Sequence, residues 1–138
     1  MSHFRLVRDV MTRDVVTLYR NDKLAVADDV MRLGRIRHLP VLDETGQLVG
    51  IVSQRDLFYS GLIRALGYGT RAQRAALDSV AVKDAMQPNV VTTTPDTPLR
   101  EAAETMLTRK IGCLVVLEGS KIVGILTESD FVKLAAMH

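Results

Sequence analysis

Gly50-Ile51-Val52-Ser53-Gln54-Arg55-Asp56 and Gly124-Ile125-Leu126-Thr127-Glu128-Ser129-Asp130 are one motif written twice. Each copy has a glycine in an apolar β-branched run, a hydroxyl residue three positions on, and an acid three positions after that. The run reads as a strand. The Ser or Thr reads as a helix N-cap and the acid as the third helical residue of a capping box. Glu or Gln is the usual residue there, yet aspartate stands in both copies.

The repetition extends outward from this motif. Val7-Arg8-Asp9-Val10-Met11 returns as Val82-Lys83-Asp84-Ala85-Met86, and Val15-Val16-Thr17 as Val90-Val91-Thr92. Ile36, Leu39, Val41 and Leu42 return as Ile111, Leu114, Val116 and Leu117 at the same 75-position step. A fixed internal period marks a duplicated unit, here of about 55 residues. The resulting division is repeat one over 1–66, a helical linker or insert over 67–81, and repeat two over 82–138.

Within each repeat, Val15–Thr17 and Val90–Thr92 predict a short strand. Leu24, Ala27, Val30 and Met31 predict a helix, as do Leu99, Ala102, Ala103 and Met106. Asn21 or Asp22 is expected to cap the first helix, and Thr97 the second with Pro98 at its first helical position. His38–Leu42 and Cys113–Leu117 read as strands that turn back through Asp43–Gly46 and Glu118–Ser120. The order is β-α-β-β-α, twice, an α+β fold. A unit this small is marginal alone, so the two pseudo-symmetric repeats are expected to pack sheet to sheet. In the insert, Phe58, Leu62, Ile63 and Leu66 continue a helix that Gly67-Tyr68-Gly69 breaks, and Thr70 opens another holding Arg71, Arg74 and Leu77.

Composition narrows the function classes. The 138 residues are 47% hydrophobic and 25% charged, as in one globular domain or two small ones sharing a core. A net charge of +2 is too balanced for a broad basic nucleic-acid face. With 4% aromatic residues, a base-stacking platform is not expected. No apolar run approaches the ~18–20 residues of a membrane span. The first residues lack a signal-peptide layout. Cys113 is the only cysteine, so neither an internal disulfide nor a cysteine-built zinc site is expected. A cytoplasmic protein with no membrane partner follows as the expectation.

Catalytic signals are missing. His3, His38 and His138 have no metal-ligand spacing, and neither a Walker loop nor a G-x-S-x-G elbow is present. The reading is a non-enzyme with no catalytic residue, no metal and no catalytic cofactor. Cys113 reads as an inert thiol in an apolar strand. Met11, Met31, Met86 and Met106 read as core filling. Arg64, Arg71 and Arg74 form a small basic patch, read first as a solvated helix face and second as a contact for a partner or anion.

The chemistry sits in the repeated motif. The exposed amides of a helix start attract anions, a hydroxyl there can bond phosphate or sugar, and an outward carboxylate can accept two hydrogen bonds from a ribose diol. The alternative is that Asp56 and Asp130 only complete capping boxes.

With Asp9-Val10-Met11, Asp84-Ala85-Met86, Arg37-His38-Leu39-Pro40-Val41 and the two G-x-x-[ST]-x-x-D motifs in view, the chain resembles a tandem pair of CBS domains, the Bateman module, from Val7 to Leu134. The resemblance implies two clefts that bind adenosine compounds: AMP, ADP, ATP, NAD or S-adenosylmethionine, with AMP or ATP foremost. It implies that Asp56 and Asp130 hold ribose and that Ser53 and Thr127 touch phosphate or ribose. Arg37 and His38 would approach phosphate, and backbone around Val15, Ile36, Val90 and Ile111 would flank adenine. It also implies a disc-like homodimer that senses energy or metabolite state and signals to a separate effector protein. Gly112 and Cys113 replace Arg37 and His38 in the second repeat, so one cleft is expected to prefer a charged nucleotide and the other to bind weakly or stay empty. The rival readings are a structural dimerisation module with degenerate clefts and a nucleic-acid-binding regulator using Arg37, Arg64, Arg71 and Arg74.

Overall fold

The computed structural model describes residues 5–58 and 70–137. In chain order the elements are α1 (Val7–Val10), β1 (Leu18–Tyr19), α2 (Leu24–Gly34), β2 (His38–Leu42), β3 (Leu48–Ser53), α3 (54–58, within the described residues), α4 (Thr70–Asp78), α5 (Val82–Ala85), β4 (Thr92–Thr93), α6 (Leu99–Arg109), β5 (Cys113–Glu118), β6 (Lys121–Thr127) and α7 (Glu128–Ala136). They form two three-stranded sheets, β1-β2-β3 and β4-β5-β6, each with a parallel pair followed by an antiparallel hairpin. The β-α-β-β-α order holds twice, and the fold is α+β. The expected continuation of α3 through Leu62, Ile63 and Leu66, its break at Gly67–Gly69, and Arg64 all lie outside the described residues.

The folded units do not follow the sequence repeats. One compact unit contains residues 1–15 and 90–138; the other contains 16–89. The segment before each repeat's strand therefore completes the core built by the other repeat. Val7 and Met11 pack with Leu99, Met106, Leu114 and Leu126. Val80 and Val82 pack with Leu24, Met31, Leu39 and Val52. Val7 and Val82 are fully buried, and each such valine contributes roughly 1.5–3 kcal/mol to its adopted core.

These lead-in segments also replace the expected helix caps. The Leu24 N–H donates to the Val80 carbonyl at 2.8 Å, and the Leu99 N–H to the Arg5 carbonyl at 2.8 Å. The first amide of each helix is thus satisfied by main chain, and neither helix has a side-chain cap. Lys23 and Pro98 stand at the N-cap positions, not Asn21, Asp22 or Thr97. Asp22 instead accepts from the Tyr19 N–H, and the Thr97 hydroxyl bonds Thr94.

The first strands also fall later than the β-branched runs suggest. β1 and β4 cover Leu18–Tyr19 and Thr92–Thr93, paired with Val41–Leu42 and Val115–Val116. Val15 turns back on itself, its N–H donating to the Arg13 carbonyl at 3.0 Å. Strand begins only where the chain reaches the neighbouring edge. Both hairpin turns put a glycine at positive φ, Gly46 at 86° and Gly119 at 64°, where a side chain would strain the backbone.

Candidate functional site

Each repeated aspartate lies in the first turn of the helix that follows its hairpin. In the unit of residues 16–89, Asp56 Oδ2 accepts from the Ser53 N–H at 2.7 Å and the Ser53 hydroxyl at 2.9 Å, and the Asp56 N–H donates to Ser53 Oγ at 3.2 Å. In the other unit, Asp130 Oδ2 accepts from the Thr127 N–H at 2.9 Å and, at 3.4 Å, from the Thr127 hydroxyl. Capping thus accounts for one oxygen of each acid.

The second oxygen is met by a lead-in segment. Gln87 Nε2 donates to Asp56 Oδ1 at 3.2 Å, and the Thr12 hydroxyl donates to Asp130 Oδ1 at 2.8 Å. Thr12 and Gln87 occupy the same repeat position. Each is held by a pair of main-chain hydrogen bonds, Thr12 to Ile125 at 2.9 Å both ways and Gln87 to Ile51 at 2.8 and 3.0 Å. The motif glycines make this approach possible. A Cβ on Gly50 would overlap the Met86 thioether and stand 3.1 Å from the Gln87 carbonyl oxygen; on Gly124 it would overlap Met11 and stand 3.1 Å from the Thr12 carbonyl oxygen. The repeated Met and the repeated glycine are two halves of one contact. Sequence reasoning missed Thr12 and Gln87. Their signal was position, immediately after each repeated Met.

The expectation of two outward carboxylates is corrected. Asp130 is only 4% exposed, with both oxygens engaged. Asp56 is half-buried. A buried carboxylate is tolerated when donors surround it, and Thr12 and Thr127 are those donors.

The other candidates gather at the same corners. Arg37 is exposed, and its carbonyl accepts the Gln54 N–H at 2.8 Å. His38 is in register with Ser53. In the other unit the Gly112 carbonyl accepts the Glu128 N–H at 3.3 Å, and Cys113 is in register with Thr127. Ile36 and Ile111 sit one residue before these corners, donate to the Met31 and Met106 carbonyls at 3.1 Å, and pack on their own cores. Val15 and Val90, both half-buried, follow Thr12 and Gln87 by three residues.

Burial, with the Asp130 charge second, pushes the Cys113 thiol up to about 12. It is protonated at neutral pH and unfit as a nucleophile. Among the described residues no group of three or more His, Cys, Asp or Glu could hold a metal ion, and no helix is long and apolar enough to cross a membrane.

Arg74 is not part of an open basic patch. Its guanidinium clasps Asp29 of α2 in two bonds of 2.9 and 3.0 Å and reaches Asp28 at 3.3 Å. The hydrogen bond to Arg74 holds the Asp29 carboxyl below its ordinary 3.8. Arg74 ties α4 to α2, as does Leu77 in the core of that unit.

A family model of the CBS domain matches residues 7–61 and again 82–136. The chain belongs to the CBS-domain family and is a tandem pair of such domains. Among solved structures it is similar to a Vibrio cholerae protein proposed to act in acetoin utilization (AcuB), at 35% identity and TM-score 0.79, covering 96% of this chain and 91% of that one. It is similar to the CBS pair of protein MJ0100 in complex with 5′-methylthioadenosine and S-adenosyl-L-methionine, at 27% identity and TM-score 0.78, covering 97% and 98%. It is also similar to CBSX2 in complex with AMP, at 26% identity and TM-score 0.76, covering 96% of each. Among curated proteins, the homoserine O-acetyltransferase of Methanohalobium evestigatum is 30% identical over 97% of this chain, and the chain spans only 24% of that protein's length.

Proposed function

We propose that the chain is a regulatory module, not an enzyme, that binds an adenosine compound, AMP or ATP ahead of NAD or S-adenosylmethionine. The observation that carries this reading is the doubled corner: an aspartate in the first turn of a helix, a hydroxyl three residues before it, and a crossing segment bonded to its second oxygen. The adenosine ligands of the similar MJ0100 and CBSX2 pairs support the ligand class. In this reading Asp56 and Asp130 receive the ribose diol. Ser53 and Thr127 touch ribose or phosphate, Arg37 and His38 approach phosphate, and backbone near Val15, Ile36, Val90 and Ile111 flanks adenine. Both acids are hydrogen-bonded in the free protein, so a diol must displace Gln87 or Thr12 or share their oxygen. Ligand binding would thereby disturb the lead-in segments, which gives regulation a physical route: a ligand shifts an equilibrium only through a state it prefers.

A homodimer belongs to this reading and would cover some of the exposed apolar side chains, such as Leu33 of α2 at 88%, Leu107 of α6 at 78% and Val132 of α7 at 67% exposure. The module would act in the cytoplasm and hand its state to an effector, on a separate chain or fused to it, as the length of the curated relative allows.

The burial of Asp130 favours a second reading, a structural dimerisation module with closed sites. Thermal denaturation with AMP, ATP, NAD and S-adenosylmethionine at millimolar concentration separates the two. Ligand at 100 times its Kd stabilises by about 2.7 kcal/mol, so at least one compound raises the Tm by several degrees. An unchanged Tm with all four means the structural reading. Retention on DNA or RNA that falls steeply with salt would favour the nucleic-acid regulator, a reading weakened by the loss of Arg74 to its clasp.

A further inference from the structure

The two corners are built alike and furnished differently. Three differences point the same way. Asp56 is half-buried, whereas Asp130 is 4% exposed. The group that occupies Asp56 Oδ1 is an exposed carboxamide at 3.2 Å, carried on a side chain with three rotatable bonds. The group that occupies Asp130 Oδ1 is a hydroxyl at 2.8 Å on a β-branched residue, also exposed, with one stiff torsion; the two backbones are pinned alike. The third difference is charge. The matched main-chain bonds from Gln54 to Arg37 and from Glu128 to Gly112 establish which residues correspond. The Asp56 corner carries a guanidinium beside a neutral amide. The Asp130 corner carries no cation at these two places and one exposed carboxylate, Glu128.

We infer that the corners are ranked: an anionic nucleotide takes Asp56 first, at one strong equivalent per chain, while Thr12 latches Asp130 shut. This rests on the adenosine reading above and adds which site fills, which residue closes the other, and why phosphate is favoured at the first. Displacing Gln87 requires only a rotamer change in solvent. Displacing Thr12, itself exposed, requires the diol to break the shorter bond and reach a carboxylate that is only 4% exposed. Arg37 offers charge-assisted bonds to a phosphate group, and Glu128 repels one.

Calorimetric titration of AMP into the full chain tests this, with circular dichroism confirming that each variant is folded. The wild type shows one strong event per chain. Asp56→Asn weakens it at least tenfold. Arg37→Gln weakens AMP about tenfold but leaves the uncharged 5′-methylthioadenosine within about twofold. Thr12→Ala adds a second event, which the double variant Thr12→Ala/Asp130→Asn loses. Should Asp56→Asn fail to fold, Ser53→Ala provides the same readout of the first event. Two equal events in the wild type, or a strong event that survives both Asp56→Asn and Ser53→Ala, overturns the ranking while leaving the adenosine reading intact. No heat with either AMP or 5′-methylthioadenosine overturns both.

Discussion

At the scale of single residues, the structure turns sequence coincidences into contacts. Gly124 recurs because Met11 and the Thr12 carbonyl lie where its side chain would be. Gly124→Ala forces the lead-in segment outward, an overpacking cost of about 1–3 kcal/mol, to be read as a lowered midpoint in urea denaturation. Gly50→Ala behaves alike against Met86. Cys113 makes a second prediction. Its pKa rises on folding from 9.0 to about 12, so the unfolded chain releases that proton at lower pH. The stabilisation is complete below pH 9 and is lost progressively as pH climbs from there toward 12. Urea midpoints measured between pH 7 and 11 should fall more steeply in the wild type than in Cys113→Val. Equal slopes would mean the thiol is not the group that titrates. Iodoacetamide at pH 8 should label the native protein far more slowly than the unfolded one.

At the scale of elements, α4 distinguishes the halves. Its clasp on α2 depends on ionised Asp29. The folded pKa of that group is depressed, so the clasp is present above the ordinary carboxylate range and fails as pH falls through the lowered value. Hydrogen exchange should show α4 losing protection on acidification, or after Arg74→Ala at neutral pH, while α6 is unaffected. High salt should have a similar but weaker effect, because the pair is exposed.

The elements also show what a single sequence can and cannot disclose. Hydrophobic spacing placed α2 and α6 because Leu24, Met31, Leu99 and Met106 face a core, and the Asp43–Gly46 turn placed its hairpin because Gly46 needs positive φ. The motif's local geometry was legible, with Ser53 and Thr127 at the caps and Asp56 and Asp130 in the first turns of their helices; their role toward a ligand is part of the proposal. The caps were misread because the donors' partners, the Val80 and Arg5 carbonyls, come from distant chain. Backbone carbonyls carry no residue signature. Asp130 was expected to face outward for the same reason: the hydroxyl that encloses it lies 118 residues away.

At the scale of the whole molecule, the stability of each unit depends on the other repeat's chain. Removing residues 1–12 deletes Val7, Met11 and Thr12, all of which serve the unit of residues 90–138. The loss is roughly 3 kcal/mol or more from the buried valine and methionine. Exchange in β5, β6 and α6 should accelerate, while β2, β3 and α2, at the truncated end of the chain, retain their protection. The reverse pattern would mean that the lead-in is dispensable to the unit it joins.

That exchange of lead-in segments has a consequence for how such a gene can be rearranged. A cut between the copies separates each core from a piece it requires, because Val7 travels with one fragment and Leu126 with the other, as do Leu24 and Val82. Polypeptides 1–58 and 70–138 should each be unfolded alone and regain structure when mixed. Recombination at that junction yields two dependents in place of two smaller proteins, so the copies are transmissible only together.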